Sequence, residues 1–496
     1  MLISRNAFFY FAIFSLLTAC SQAQKNESTL SGHFEDSSMA QLEPYRGRLS
    51  FVPEYLPGQN VIVSEEIFAL AGSNMLMNIL DAGVAKLYVV MVGAKSGEDA
   101  SGGLKAVLRR RVEFVLAKND VKIPPETIAK LDALFARIVP IEQESPLYKR
   151  DAETDEPTVW ARDWSPLASR DATGTNYIMD LNYYPVRPVD DSTSRAFLRY
   201  FQSILTGDPA VATQPVKRVS LPIYNEGGNF MNTSQWCFMS ERIVEANSKS
   251  GRRGIFFSAD DARFANNKIS ADISFDKDAL ISFYNSFGCR NTQIFSRLPS
   301  EGTGHIDMWA KIVSEDTVLV SDLGDESIDR ASTPEANVLR GGRRSAAEDI
   351  RDMRVMQVFL REKQQWFRDH GFRVFLLPMP TNIFNFDADE YKKAYDGQIS
   401  DGKTPDEAKR FAEDWASNIV TRSYTNSLMV NGTLVTPRYL KFNGKLDYPD
   451  ASLLDAYENK VRMVIEGVGL KVEFVETDAL IAQGGSVHCT TMQVPW

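Results

Sequence analysis

Gly467-Val468-Gly469, running into Val472-Glu473-Phe474, sets a pattern that the rest of this chain repeats. A helix-like segment closes on a glycine, and a β-rich run follows. Glycine is favoured just past a helix because it tolerates the left-handed conformation. The same succession stands at Asp81-Ala82-Gly83 before Leu87-Tyr88-Val89-Val90, at Phe287-Gly288 before Gln293-Ile294-Phe295, and at His370-Gly371 before Val374-Phe375-Leu376-Leu377. The spacings are unequal, which argues against a strict solenoid. A propeller-like, multi-blade α/β architecture is compatible with four such copies, and so is any mixed α/β fold.

Outside these copies, two stretches show helical periodicity. From Ser345 to His370, Met353, Met356, Leu360 and Phe367 recur at helical intervals. A second helix opens at Thr404-Pro405-Asp406-Glu407, with a cap, a proline in the first turn and a glutamate to complete a capping box. Its apolar positions are Ala408, Phe411, Trp415 and Ile419. Both stripes read as core-facing. The charged stretch 387–403 between them reads as an exposed loop.

The chain has 496 residues, 44% hydrophobic and 24% charged, enough for a sizeable core. With 55 Lys plus Arg against 65 Asp plus Glu, the formal charge is -10. Phosphate binding needs clustered basic charge, so nucleic acid is excluded as the expected partner. Acidity mainly aids solubility, and it also favours approach of cationic small molecules.

Arg5 and the apolar run 7–17 have the form of a signal peptide, since the run is too short to span a bilayer. It closes in Leu17-Thr18-Ala19-Cys20, which resembles the bacterial lipobox and makes Cys20 the expected lipidation site. Ser21 follows, which by the same resemblance favours outer-membrane sorting. The expected organisation is a lipoprotein leader at 1–20, a flexible tether at 21–45, and one domain at 46–496. The expected location is an exported bacterial lipoprotein, periplasmic or at the outer membrane or cell surface, touching the membrane through its N-terminal lipid alone. Of the remaining cysteines, Cys237 and Cys289 are a pair or two buried thiols, and spacing does not decide between them.

Only four histidines exist, at 33, 305, 370 and 488. Gly304-His305-Ile306-Asp307 leads into Met308-Trp309-Ala310-Lys311-Ile312-Val313, and on an extended segment His305 and Asp307 share a face. Near the end stands Gly484-Gly485-Ser486-Val487-His488-Cys489. A cysteine in polar company is a nucleophile candidate. His488, adjacent to it on a strand, would point to the opposite face, so His305 is the better base. Two more polar clusters interrupt foldable sequence. They are Trp160-Ala161-Arg162-Asp163-Trp164-Ser165-Pro166 and Tyr224-Asn225-Glu226-Gly227-Gly228-Asn229-Phe230.

Taken together, these clusters resemble the agmatine deiminase and porphyromonas-type peptidyl-arginine deiminase family. Its members carry, in order, Arg-Asp-x-Gly-Pro, Glu-Gly-Gly-Asn, Gly-His-x-Asp and a terminal Gly-Gly-x-x-His-Cys. The segment Ser423-Tyr424-Thr425-Asn426-Ser427 also looks like the family's Tyr-x-Asn segment. The likeness runs from about residue 50 to the end. Two departures stand out. Ser165 replaces the usual Gly, and in Tyr183-Tyr184-Pro185-Val186-Arg187-Pro188 only Arg187 matches the arginine pair that holds a substrate carboxylate in peptidyl-arginine enzymes.

The resemblance implies a five-bladed, pseudo-symmetric α/β propeller (pentein) with helical insertions at about 340–370 and 385–420. It implies a Cys489 nucleophile, His305 as acid and base, Glu226 orienting His305, and Asp163, Asp307, Asn426, Trp164 and Arg187 around the substrate. A guanidinium is a flat cation with five fixed donors, so two carboxylates can grip its edges. The expected partner is a small cationic guanidine or an arginine-containing peptide, with no metal and no organic cofactor. Carboxylates beside Cys489 should oppose thiolate formation, and a bound cation should favour it. The rival readings are a metal site, which lacks zinc-type ligand spacing, a cysteine peptidase, an amidinotransferase of the same fold, and a non-catalytic guanidine-binding surface lipoprotein.

Overall fold

All four glycines of the repeat lie in the left-handed region, with φ of 91° at Gly83, 143° at Gly288, 86° at Gly371 and 84° at Gly469. At two of them the helix end is closed by a paired motif. Phe372 N–H donates to Phe367 O and Gly371 N–H to Arg368 O, and Leu470 and Gly469 do the same to Ile465 and Glu466. These bonds satisfy carbonyls that a helix end leaves without partners. The computed structural model describes residues 42–496 except 71, 96, 119–124, 144–156, 184–187, 192, 208–215, 249–273, 340–344, 381, 387, 401–402, 443–445 and 448–449.

Each glycine marks the crossover of one unit, and the described residues form five such units rather than four. In every unit an antiparallel pair is followed by a helix and then by a strand parallel to the second strand. The helix Thr193–Gly207 joins Leu167–Asp171 and Asn176–Asn182 to Lys217–Tyr224. Lys277–Ser286 joins Met231–Asn232 and Trp236–Ser240 to Asn291–Phe295. Ala346–Asp369 joins Ala310–Ser314 and Thr317–Asp322 to Arg373–Pro378. Ala451–Gly467 joins Leu428–Val430 and Thr433–Arg438 to Lys471–Glu476. In the last unit the C-terminal strand Met492–Val494 pairs with Asn60–Ser64, and Gly72–Asp81 leads to Leu87–Val92. The chain's two ends therefore complete one sheet. The unit at 167–224 escapes the glycine signal because Gly207 closes its helix well ahead of the strand at Lys217.

The mixed α/β class expected from the sequence is the one observed. Leu87–Val92 is buried along its whole length, as befits a strand covered on both faces. Val61, Val63, Val89 and Met91 pack with Met75, Leu76, Ile79 and Leu80 in one cluster. Each fully buried aliphatic there contributes about 2 kcal/mol. Met353, Met356, Leu360 and Phe367 are all buried, as their spacing requires.

Several expectations change. Ala346–Asp369 is the crossover of a unit, so it is intrinsic to the repeat and not an insertion. The inserted segment is a helical hairpin, Ala388–Ser400 with Pro405–Ala416, carried on the antiparallel pair Ile383–Phe386 and Ser417–Val420. Much of the stretch read as a loop is thus helix, because the two helices pack on each other. The capping box is present, with Thr404 N–H donating to Glu407 Oε2 at 3.0 Å and Glu407 N–H to Thr404 Oγ1 at 3.3 Å. Phe411 is exposed, so that stripe is narrower than its spacing suggested.

The leader, Cys20 and the tether lie outside the described residues, except that Leu42 is buried and Glu43–Tyr45 forms a turn of 3-10 helix. The span 21–45 expected as a tether thus overlaps described structure at residues 42–45. Cys237 and Cys289 form a disulfide across 52 residues. A closed loop of that length is worth about 4 kcal/mol through the unfolded chain's lost entropy. No helix among the described residues is long and apolar enough to cross a membrane.

Candidate active site

Cys489 lies in a turn, not on a strand. Thr490 N–H donates to Ser486 O and Thr491 N–H to His488 O, while His488 N–H reaches Asn426 O at 3.2 Å. The glycine ahead of it is sterically required, since a Cβ on Gly485 would stand 2.1 Å from the Trp160 ring. Arg162 N–H donates to Cys489 O at 3.0 Å, which ties the segment bearing Asp163 to the nucleophile's own backbone. Ser165 takes φ -71° and ψ 148°, extended values open to any residue, so its replacement of glycine leaves the turn intact.

Gly228 is the point where the distant segments meet. A Cβ there would lie 2.6 Å from His305 Nδ1, 2.9 Å from Asp163 Oδ1 and 2.9 Å from Asp307 Oδ2. Its N–H donates to Asp163 Oδ1 at 2.9 Å. His305 Nε2 bonds Glu226 Oε2 at 2.9 Å, and that same oxygen accepts from Arg242 Nε at 3.1 Å. On its other side, His305 Nδ1 stands 3.7 Å from Asp163 Oδ1. Cys489 Sγ lies 3.7 Å from Asp307 Oδ2 and receives an N–H from Asn426 Nδ2 at 3.1 Å. His305 Nδ1 and Asp307 Oδ1 are buried with no hydrogen-bond partner among the described residues. Buried polar atoms are rarely left so.

Asp307 reaches this point from a 3-10 turn, Ile306–Met308, and not from a strand. Ile306, Met308 and Trp309 are all buried. Asn426 addresses the thiol. Trp164 does not join the group: its indole N–H donates to Thr158 O at 3.0 Å and its ring belongs to a hydrophobic cluster. Arg187 lies outside the described residues.

The sequence reading missed the layer behind Asp307. His488, wholly buried, bonds Asp307 Oδ2 through Nδ1 at 2.7 Å and faces Glu54 through Nε2 at 3.1 Å. Glu54 also accepts from Arg162 and Lys311. Glu54 stands in no motif. Lys311 did carry a signal, because a lone cation inside the apolar run 310–313 must be paired if the strand is buried.

Electrostatics differ sharply across the site. Burial alone would lower His305, but Asp163 and Glu226 lift it to about 10. Asp163 is pushed up to about 7 by burial, against the pull of His305 and with repulsion from Glu226 and Asp307. Burial, then Asp307 and Asp163, push the Cys489 thiol well above its ordinary value. Such a thiol is a weak nucleophile until positive charge arrives. The arrangement suits a flat cation, which would find acceptors in Asp163 and Asp307 and a sulfur beside them.

Residues 282–495 match the model of the Porphyromonas-type peptidyl-arginine deiminase family. In three dimensions the chain is similar to a crystal structure assigned as a peptidyl-arginine deiminase, at TM-score 0.50 and 14% identity, over 90% of this chain and 99% of that one. It is also similar to one assigned as an arginine deiminase from Porphyromonas gingivalis, at TM-score 0.51 and 18% identity, over 90% and 98%. At these identities the likeness is one of fold. No curated protein matches the chain.

Proposed function

We propose that this chain, whose residues 282–495 match the model of the Porphyromonas-type peptidyl-arginine deiminases, hydrolyses a terminal guanidino group of the agmatine or peptidyl-arginine type and releases ammonia. The observation that carries this reading is the convergence on Gly228 of His305 Nδ1, Asp163 Oδ1 and Asp307 Oδ2, with the Cys489 sulfur 3.7 Å from that same Asp307 oxygen. Asp163 and Asp307 hold the cation. Its charge, with that of protonated His305, offsets the carboxylates and draws the Cys489 proton off. Asn426 orients the sulfur.

The thiolate attacks the guanidino carbon, forming a C–S bond and a tetrahedral adduct. A C–N bond then breaks, and the departing nitrogen takes a proton from His305 and leaves as ammonia. The thiouronium that remains accepts water, whose proton passes to the now neutral His305. The C–S bond breaks, giving the free thiolate and a ureido product whose hydroxyl proton is released to solvent, where ammonia takes it up as ammonium. Glu226 keeps His305 oriented through both halves.

We also place the enzyme outside the cytosol. The Cys237–Cys289 disulfide and the leader-like residues 1–20 support that location. The test is ammonia release from agmatine, free arginine and peptidyl-arginine, with Cys489→Ala as control. Turnover of at least one compound, lost in Cys489→Ala, is the expected result. A wild-type protein inert toward all three, or an active Cys489→Ala, overturns it. Binding without turnover by the wild-type protein would favour the non-catalytic reading instead.

A further inference from the structure

Asp307 is not an isolated acid. Its Oδ2 is 2.7 Å from His488 Nδ1, while its Oδ1 has no partner among the described residues. His488 has no exposure to water, and its Nε2 meets both oxygens of Glu54, at 3.1 and 3.2 Å. Glu54 is anchored in turn by Arg162 and Lys311, both buried, and by Gln493 Nε2 at 3.4 Å. The chain of contacts thus runs from Asp307 through His488 and Glu54 to two fixed cations. It draws on segments near residues 54, 162, 307–311 and 488, so nothing local explains it.

We infer that His488 is a positioning residue: its Nδ1–H donates to Asp307 Oδ2 and fixes the direction in which that carboxylate meets a bound cation. The inference deepens the proposed function and rests on it for the substrate class. Oδ2 is also the Asp307 oxygen 3.7 Å from the Cys489 sulfur, so turning the carboxylate would change both the acceptors offered to a cation and the charge beside the thiol.

The chemistry gives a paired test at position 488. An asparagine amide reaches where Nδ1 stands, whereas a glutamine amide reaches toward Nε2. His488→Gln should therefore raise KM about tenfold with a smaller change in kcat, and His488→Asn should recover most of that loss. Equal losses in the two variants, each tracking a fall in Tm, would mean that the imidazole is only filler and would overturn the inference.

Because the chain has only four histidines, the His488 ring can also be followed by 15N NMR in the unaltered protein, with no substrate present. A proton on Nδ1 that loses its Asp307 partner in Asp307→Asn supports the inference. A ring protonated only on Nε2 sinks it. If the wild-type protein turns over no guanidine, the proposed function fails at that point, and the NMR result still decides the His488–Asp307 bond.

Discussion

Two buried imidazoles each stand between a pair of acids at this site, and their proton affinities have moved in opposite directions. His305 stands between Glu226 at 2.9 Å and Asp163 at 3.7 Å, and is lifted to about 10. His488 stands between Asp307 at 2.7 Å and Glu54 at 3.1 Å, and is lowered, by burial first and then by Arg162 and Lys311. Burial penalises both cations alike. The difference lies one contact further out. Arg162 and Lys311 neutralise Glu54 and press their own charge on His488. At His305, Asp163, Glu226 and Asp307 together outweigh the burial penalty. A carboxylate beside a histidine therefore says little about that histidine's charge until the carboxylate's other partners are known. One corner is built to hold and move a proton, the other to hold a geometry.

That contrast can be broken most severely at the first corner. His305→Gln removes the group proposed to protonate the leaving nitrogen, so kcat should fall about a thousandfold, measured by ammonia release. A loss no larger than that of His488→Gln would erase the distinction between the corners. Lys311→Met tests the second corner through stability. It strips one cation from a buried network, and denaturant unfolding should show a loss of about 3 kcal/mol. In the same variant an NMR titration should find the His488 proton affinity raised, because a repelling charge is gone. If it is unmoved, Lys311 does not set the contrast.

The smallest effect expected is on binding. Asp163, at about 7 in the empty site, is mostly protonated at pH 6 and mostly ionised at pH 8. A cation prefers the ionised form, so affinity of Cys489→Ala for a guanidine should rise about tenfold between those values. The slope should vanish in Asp163→Asn, while His305 stays charged throughout the window.

How far these corners were legible depends on how local their signals are. Glu226, Asp163, His305, Asp307, Asn426 and Cys489 all lie in short polar strings set in foldable sequence, and all six converge. The strings betray themselves because acids, a histidine and a thiol are costly amid apolar residues unless the fold uses them. Trp164 sits in such a string and yet serves the core, since adjacency on a chain does not fix which way a side chain points. The extended reading of His305 to Asp307 failed for the same reason, since the chain leaves His305 in extended geometry and turns at Ile306–Met308. Glu54 was illegible, being one acid among many, and only its contacts with Arg162, Lys311 and His488 set it apart. The fifth unit was hidden because its crossover helix ends far from its strand.

Composition, the glycine-punctuated helix–strand repeat and the order of the polar strings were properties of the sequence alone, because helix ends and reactive side-chain types are dictated by a residue and its nearest neighbours. The pairing of Met492–Val494 with Asn60–Ser64 in one sheet, the Cys237–Cys289 bond, the His488–Asp307 contact, and the opposite shifts of His305 and His488 were decided only by the tertiary structure. Each depends on distances of a few ångströms between residues far apart in the chain, inside a medium that screens charge poorly. Such distances come into being only when the chain folds.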